Sequence, residues 1–268
     1  MLPGFQIELR VQVDGFLTSL VFDDDGVLHF TTTDGKIWRR EAGVNKVVAS
    51  VDSAVEGNAA LLGMAFDGEG EIVVHYVASD LRSDVISKVN PSTAEERIIA
   101  DLVCSTGPPC PTEHHGGNPI VSPEGAIFVG IGDHGVQSTA QNLEKPGGKI
   151  YRIDPDGGYQ VEAIGFRNPY DLFWDARFER LIVGDNGAIG QDEITFVRAG
   201  ENHGWPLTMG NAPAVDGMVP PVYTFSETVA PTGLAAVDGP GYFRDGILVG
   251  GFVTRAIYYF PWWSEDAI

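Results

Sequence analysis

One pattern recurs along the chain and restricts what it can fold into: an apolar run, a tight turn of Asp and Gly, a second apolar run, and often a third. It reads LTSLVFDDDGVLHFTTTDGKIWRRE near the start, then LLGMAFDGEGEIVVHYVA, then NPIVSPEGAIFVGIGDHG with GGKIYRIDP. It returns as YDLFWDARFERLIVGDNG and as FRDGILVGGFVTRAIYYF. Apolar residues alternating between Asp/Gly turns predict antiparallel strands joined as hairpins. The turn glycines Gly26, Gly70 and Gly125 stand 44 and 55 residues apart, a period that suits four-stranded propeller blades. A β-sandwich would instead place turn signals about every 8–12 residues with no larger repeat. The expectation is a single all-β domain over residues 1–268, a β-propeller of four-stranded antiparallel blades. Five blades can be marked from Phe16 to Phe260, just ahead of the closing PWWSEDAI.

Composition narrows the function classes. With 43% apolar residues, 34 glycines and 17 prolines the chain reads as globular and turn-rich, not disordered. The net charge of −20 argues against nucleic-acid partners, because phosphate binding needs clustered Lys and Arg. An anionic membrane surface is disfavoured for the same reason. No run of about 18 apolar residues predicts a membrane-spanning helix. The start, MLPGFQIELRV, has neither a basic nor an apolar leader region. Cys104 and Cys110 bracket STGPP; a small loop-closing disulfide is expected, favouring an oxidising compartment, with two free thiols as the alternative.

Three places carry candidate chemistry. His114, in TEHHGGNPIVSPEGAIFVGIGD, precedes a strand where glycines permit tight backbone turns. A histidine can take a hydroxyl proton near neutral pH, and Glu113 is positioned to orient it. Arg167 and Asn168 offer a guanidinium fork and an amide, which bind oxygens directionally. The loop from Asp185 to Glu193 offers carboxylates and backbone carbonyls close together, the oxygen chemistry that calcium prefers.

The segment AIGFRNPYDLFWDARFERLIVGDNGAIGQDEITFVRAGENHGWP, together with AALLGMAF, GKIYRIDPDG and APTGL, resembles the soluble quinoprotein glucose/sorbosone dehydrogenases, including the aldose sugar dehydrogenases. The resemblance runs from about Pro3 to Phe260 and implies six blades, one more than can be marked. It implies that His114 is the catalytic base, that Arg167 and Asn168 contact pyrroloquinoline quinone, and that Arg167 also stabilises developing charge. The carbonyls of Gly187 and Ala188 would hold the calcium bound to the quinone. Asp192 and Glu193, with the carbonyl of His203, would hold a second, structural calcium. Asn58 stands at a glutamine position near the quinone. Val253 stands where the family has a quinone-binding lysine, and Arg255, two residues on, is the substitute cation.

The implied reaction oxidises a sugar C1 hydroxyl to the lactone, in a periplasmic or extracellular protein. Two alternatives differ in class. One is a non-catalytic, calcium-stabilised propeller that binds a glycan or protein partner, and the other a calcium-dependent lactone hydrolase. An open propeller would expose edges that a second copy could cover as a homodimer.

Overall fold

The Asp-x-x-Gly sequences build the turns that the repeat predicts. In the first, Asp23 Oδ1 accepts from the backbone N–H groups of Asp25 and Val27 at 3.1 and 2.8 Å, and Gly26 N–H donates to the Asp23 carbonyl at 2.8 Å. Gly26 sits at φ +73°, where a Cβ would be strained. Asp67 repeats the device, its Oδ1 accepting from Glu69 and Glu71, both at 2.9 Å.

A computed structural model describes residues 9, 11–155, 157–213, 215–237 and 245–261; Pro3 and the tail beyond Pro261 lie outside them. The strands are β1 (Leu17–Phe22), β2 (Leu28–Thr32), β3 (Lys36–Glu41) and β4 (Val44–Ser50), then β5 (Leu61–Phe66), β6 (Ile72–Val77), β7 (Ser83–Val89) and β8 (Glu96–Val103). Next come β9 (Ile120–Val121), β10 (Ile127–Ile131), β11 (Lys149–Ile153) and β12 (Tyr159–Ile164), then β13 (Pro169–Asp175), β14 (Arg180–Asp185), β15 (Glu193–Val197) and β16 (Tyr223–Thr224). The last are β17 (Pro231–Val237), β18 (Gly246–Gly251) and β19 (Ala256–Pro261). Each consecutive group is one antiparallel sheet in sequence order, four sheets of four strands and a fifth of three. The fold is the expected all-β propeller, with five recognisable blades.

The first strands of successive blades lie against one another, β1 on β5, β5 on β9, β9 on β13 and β13 on β17. They therefore form the inner rim. Hydrophobic cores fill the joints between blades. Ile37 and Ala49 pack with Met64 and Ile72 at the first joint, and Val73 and Ile86 with Val129 and Ile153 at the second. Phe128 and Ile150 pack with Leu172 and Val183 at the third, and Ile182 and Ile194 with Ile247 and Val249 at the fourth. Each such buried side chain contributes about 1.5–3 kcal/mol, so the joints dominate stability. Among the described residues no corresponding core joins blade five to blade one. Leu20 and Phe22 on β1 and Ile257 on β19 are exposed there, and an edge-to-face pair of Phe16 and Phe252, with centroids 5.9 Å apart, spans the two blades. Cys104 and Cys110 form the expected disulfide.

Candidate functional site

Blade geometry, not sequence distance, gathers the candidate residues. Entry into every first strand and exit from every second strand fall at the same end of the propeller. Asn58 precedes β5, His114 precedes β9, and Arg167 with Asn168 precedes β13; the segments 186–192 and 252–255 follow β14 and β18. All the residues singled out in the sequence thus meet at one end. The His114 loop is held close to blade three. His114 adopts φ +52° and Gly116 φ +81°, and a Cβ on Gly116 would collide with the Gly130 carbonyl, as one on Gly132 would with that of His114.

That approach brings in a partner the sequence did not announce. His114 Nδ1 lies 2.7 Å from Asp133 Oδ1, just past the end of β10. Asp133 Oδ2 accepts from the Trp205 indole N–H at 2.9 Å, and its Oδ1 also accepts from Gly135 N–H at 2.8 Å. Burial alone would raise the Asp133 pKa, but the hydrogen bonds from His114 and Trp205 and the charge of His114 hold it below the usual carboxylate value. His114 Nε2 has no hydrogen bond from the described residues. Glu113, expected to orient His114, is exposed, and Asp133 does that work instead. The Arg167 guanidinium lies over the Trp205 ring at 5.8 Å and donates from Nη1 to the carbonyls of Asn186 and Gly187 at 2.9 and 2.8 Å. Its backbone N–H and that of Asn168 bind Asp185 Oδ2 and Oδ1 at 3.0 and 2.6 Å. Asn168 Oδ1 accepts from Gly116 N–H at 2.9 Å, tying this turn to the His114 loop.

A cavity of about 1370 Å³ opens beside these groups, lined by His114, Asn58, Asn168, Asn186, Tyr170 and Asp171 among others, and it continues between blades one and five along Leu20, Leu248 and Ile257. Among the described residues no Lys or Arg lines it. Arg167 stands behind Asn186. Arg255, at φ +53° in the exposed turn after β18, and its neighbour Val253 also stand outside the lining.

The acidic loop is used in more than one way. Asp192 is buried, and its carboxylate accepts from the backbone N–H groups of Gly187, Val229 and Ala230 at 2.9, 2.6 and 2.7 Å. It clips the loop to blade five. Glu193, one residue on, turns the other way and accepts from Gly210 N–H. Glu193 pairs across the strands with Asp185. Burial and the Asp185 charge raise Glu193 to about 8, while burial raises Asp185 to about 6. No ion pair neutralises either carboxylate among the described residues. Asn186 Oδ1 is a buried oxygen without a hydrogen-bond partner, one residue before Gly187. Unneutralised carboxylates and an orphaned oxygen are donors of the kind calcium takes. His203 stacks on Phe166 at 4.8 Å with Nδ1 3.0 Å from Thr195 Oγ1.

The propeller thus presents a histidine–carboxylate pair, an anchored arginine and an oxygen-rich loop at one end, with the cavity beside them. The chain belongs to the Glucose / Sorbosone dehydrogenase family, whose model matches residues 7–267. It is similar to the Aldose sugar dehydrogenase YliI of Escherichia coli K12, 29% identical over 213 residues that cover 74% of this chain and 53% of that protein. Among solved structures it resembles a putative oxidoreductase (glucose dehydrogenase) of Thermus thermophilus, with a TM-score of 0.84, 24% identity and coverage of 98% of this chain and 84% of the other. It also resembles the PQQ-bound aldose sugar dehydrogenase of Streptomyces coelicolor, with a TM-score of 0.84, 22% identity and coverage of 97% and 81%. The chain spans about half the length of the curated relatives it matches.

Proposed function

We propose that the protein oxidises the C1 hydroxyl of an aldose sugar to the lactone, in a periplasmic or extracellular setting. The observation that carries this reading is His114, its Nδ1 fixed on Asp133 at 2.7 Å and its ring lining the cavity. Held in that tautomer, Nε2 is the acceptor for the hydroxyl proton, and Asp133 stabilises the imidazolium that results. Arg167, locked on two carbonyls and against Trp205, places a fixed positive charge near the oxygen that develops negative charge. Asn168 keeps the Arg167 turn in register with the His114 loop.

The residues present fit a quinone at its reacting edge, where His114, Asn168 and Asn58 line the cavity and would hold it, with Arg167 anchored on the Asn186 and Gly187 carbonyls beside them. The carbonyls of Gly187, shared with Arg167, and of Ala188, with Asn186 Oδ1, would supply oxygen donors for calcium there, and Asp192 and Glu193 with the His203 carbonyl would supply them for a structural calcium. Bound pyrroloquinoline quinone would supply the hydride acceptor, polarised by calcium. The carboxylates of the quinone are less well served, since among the described residues no Lys or Arg lines the cavity and charge-assisted contacts are worth about 1.5–3 kcal/mol each. That same observation favours a second reading, a calcium-stabilised propeller that binds a glycan or a protein without turnover.

Calorimetric titration of calcium-loaded protein with pyrroloquinoline quinone, followed by dye reduction with several aldoses, separates the two. Saturable binding with sugar-dependent reduction, abolished by His114→Ala at unchanged Tm, is expected for the dehydrogenase. A folded protein that binds calcium but no quinone would sink that reading in favour of the binding module.

A further inference from the structure

Beneath the His114–Asp133 pair lies a second layer of titratable groups. Asp84, on β7 of blade two, is fully buried. Its Oδ1 is 2.8 Å from His115 Nδ1 and its Oδ2 is 2.7 Å from His134 Nε2, with His75 Nε2 3.4 Å from Oδ1. The remaining ring nitrogens are engaged too. His115 Nε2 lies 2.6 Å from the Pro111 carbonyl, and His134 Nδ1 accepts from Ser105 N–H at 3.4 Å. Two oxygen acceptors, the Asp84 carboxylate and the Pro111 carbonyl, suit a doubly protonated His115. Burial works against both charges, but Asp84 lifts the His115 pKa, and His115 with His134 holds Asp84 well below the carboxylate range. Cys104 is also adjacent, yet its sulfur is in the disulfide and the ring nitrogens are occupied, so the cluster reads as a clamp and not as a metal site.

What the clamp grips decides its role. His115 directly follows His114 and His134 directly follows Asp133, so one buried carboxylate holds the residue after each member of the pair. The two segments also share a backbone hydrogen bond, His134 N–H to the His114 carbonyl at 3.2 Å. His114 itself sits at φ +52°, a conformation that persists only where neighbours impose it. We propose that Asp84 is a positioning residue, holding His114 and Asp133 at hydrogen-bond distance through His115 and His134. Only the kinetic arm of its test rests on the dehydrogenase reading.

The experiment compares wild-type protein with Asp84→Asn, which keeps the shape but removes the charge. The first readout is the Nδ1–H proton resonance of His114 in 15N-histidine-labelled protein, assigned by its loss in His114→Gln and recorded well below each Tm. The second is kcat against KM for sugar in calcium- and quinone-loaded protein. The expected result is a broadened or missing His114 resonance, with kcat lower by on the order of 100-fold at unchanged KM, the scale of a misplaced reacting group. A native resonance in Asp84→Asn, whatever its Tm, would reduce Asp84 to a structural ion and overturn the proposal. If the wild type reduces no dye, the dehydrogenase reading fails while the resonance still decides the clamp. Should Asp84→Asn not fold, His134→Gln releases one arm and is read by the same two measures.

Discussion

At the scale of single residues, the division between what was readable and what was not follows sequence distance. His114 stands out because a histidine before a strand, among glycines, is an unusual local arrangement. Asp133 does not stand out, although GIGD was in plain sight at the end of an apolar run. Its role depends on β10 returning to the end of the blade where β9 began, which only the assembled sheet fixes. Trp205 is more remote still, reaching Asp133 at 2.9 Å from the loop between β15 and β16. Asp133→Asn would leave an acceptor for His114 or for Trp205 but not the charge, and would favour the wrong imidazole tautomer. Dye reduction by that variant should fall by roughly 10²–10⁴-fold with little change in sugar KM; a loss under about threefold would remove Asp133 from the chemistry. Arg255 marks the limit of a local rule: two residues along a strand preserve a face, but it stands in an exposed turn, where that rule does not apply.

At the scale of elements, the hairpins were legible because Asp-x-x-Gly turns and alternating strands are local signals. The two-residue strand β16 was not, since so short a pairing leaves no pattern of its own. Nor were the side chains that fasten one blade to the next. Asp171 on β13 accepts from Leu234 N–H on β17 at 2.5 Å and from Leu172 N–H at 3.0 Å. Burial raises it to about 7 in spite of those bonds. The sign of the consequence is fixed by linkage. A carboxyl whose folded pKa lies above its unfolded value near 3.8 holds an extra proton in the folded state between the two, so stability declines as pH rises from about 4 to 7. Asp171→Asn, with an amide oxygen still able to accept from Leu234, should flatten that decline. Thermal melts at pH 5 and pH 7.5 test it: the Tm difference between the two pH values should shrink by several degrees, at about 2–4 °C per kcal/mol. An unchanged difference would mean that Asp171 is not the titrating staple.

At the scale of the molecule, the period of the turns made the propeller legible, and also the shortfall of one blade against the six that the resemblance implied. What the period did not convey is where the apolar faces of blades one and five are left. Leu20, Phe22 and Ile257 are 64%, 63% and 74% exposed, a set of large side chains that soluble monomers seldom display together. We expect two copies to cover these faces, so sedimentation should show mass rising above the monomer with concentration. Leu20→Lys combined with Ile257→Glu should return the protein to a monomer with Tm changed by no more than a few degrees; a monomeric wild type would dispose of the homodimer. Among the described residues the cavity beside His114 continues along Leu20, Leu248 and Ile257 to the faces of blades one and five, where the Phe16–Phe252 contact, an attraction of about 0.5–1.5 kcal/mol, links the two blades.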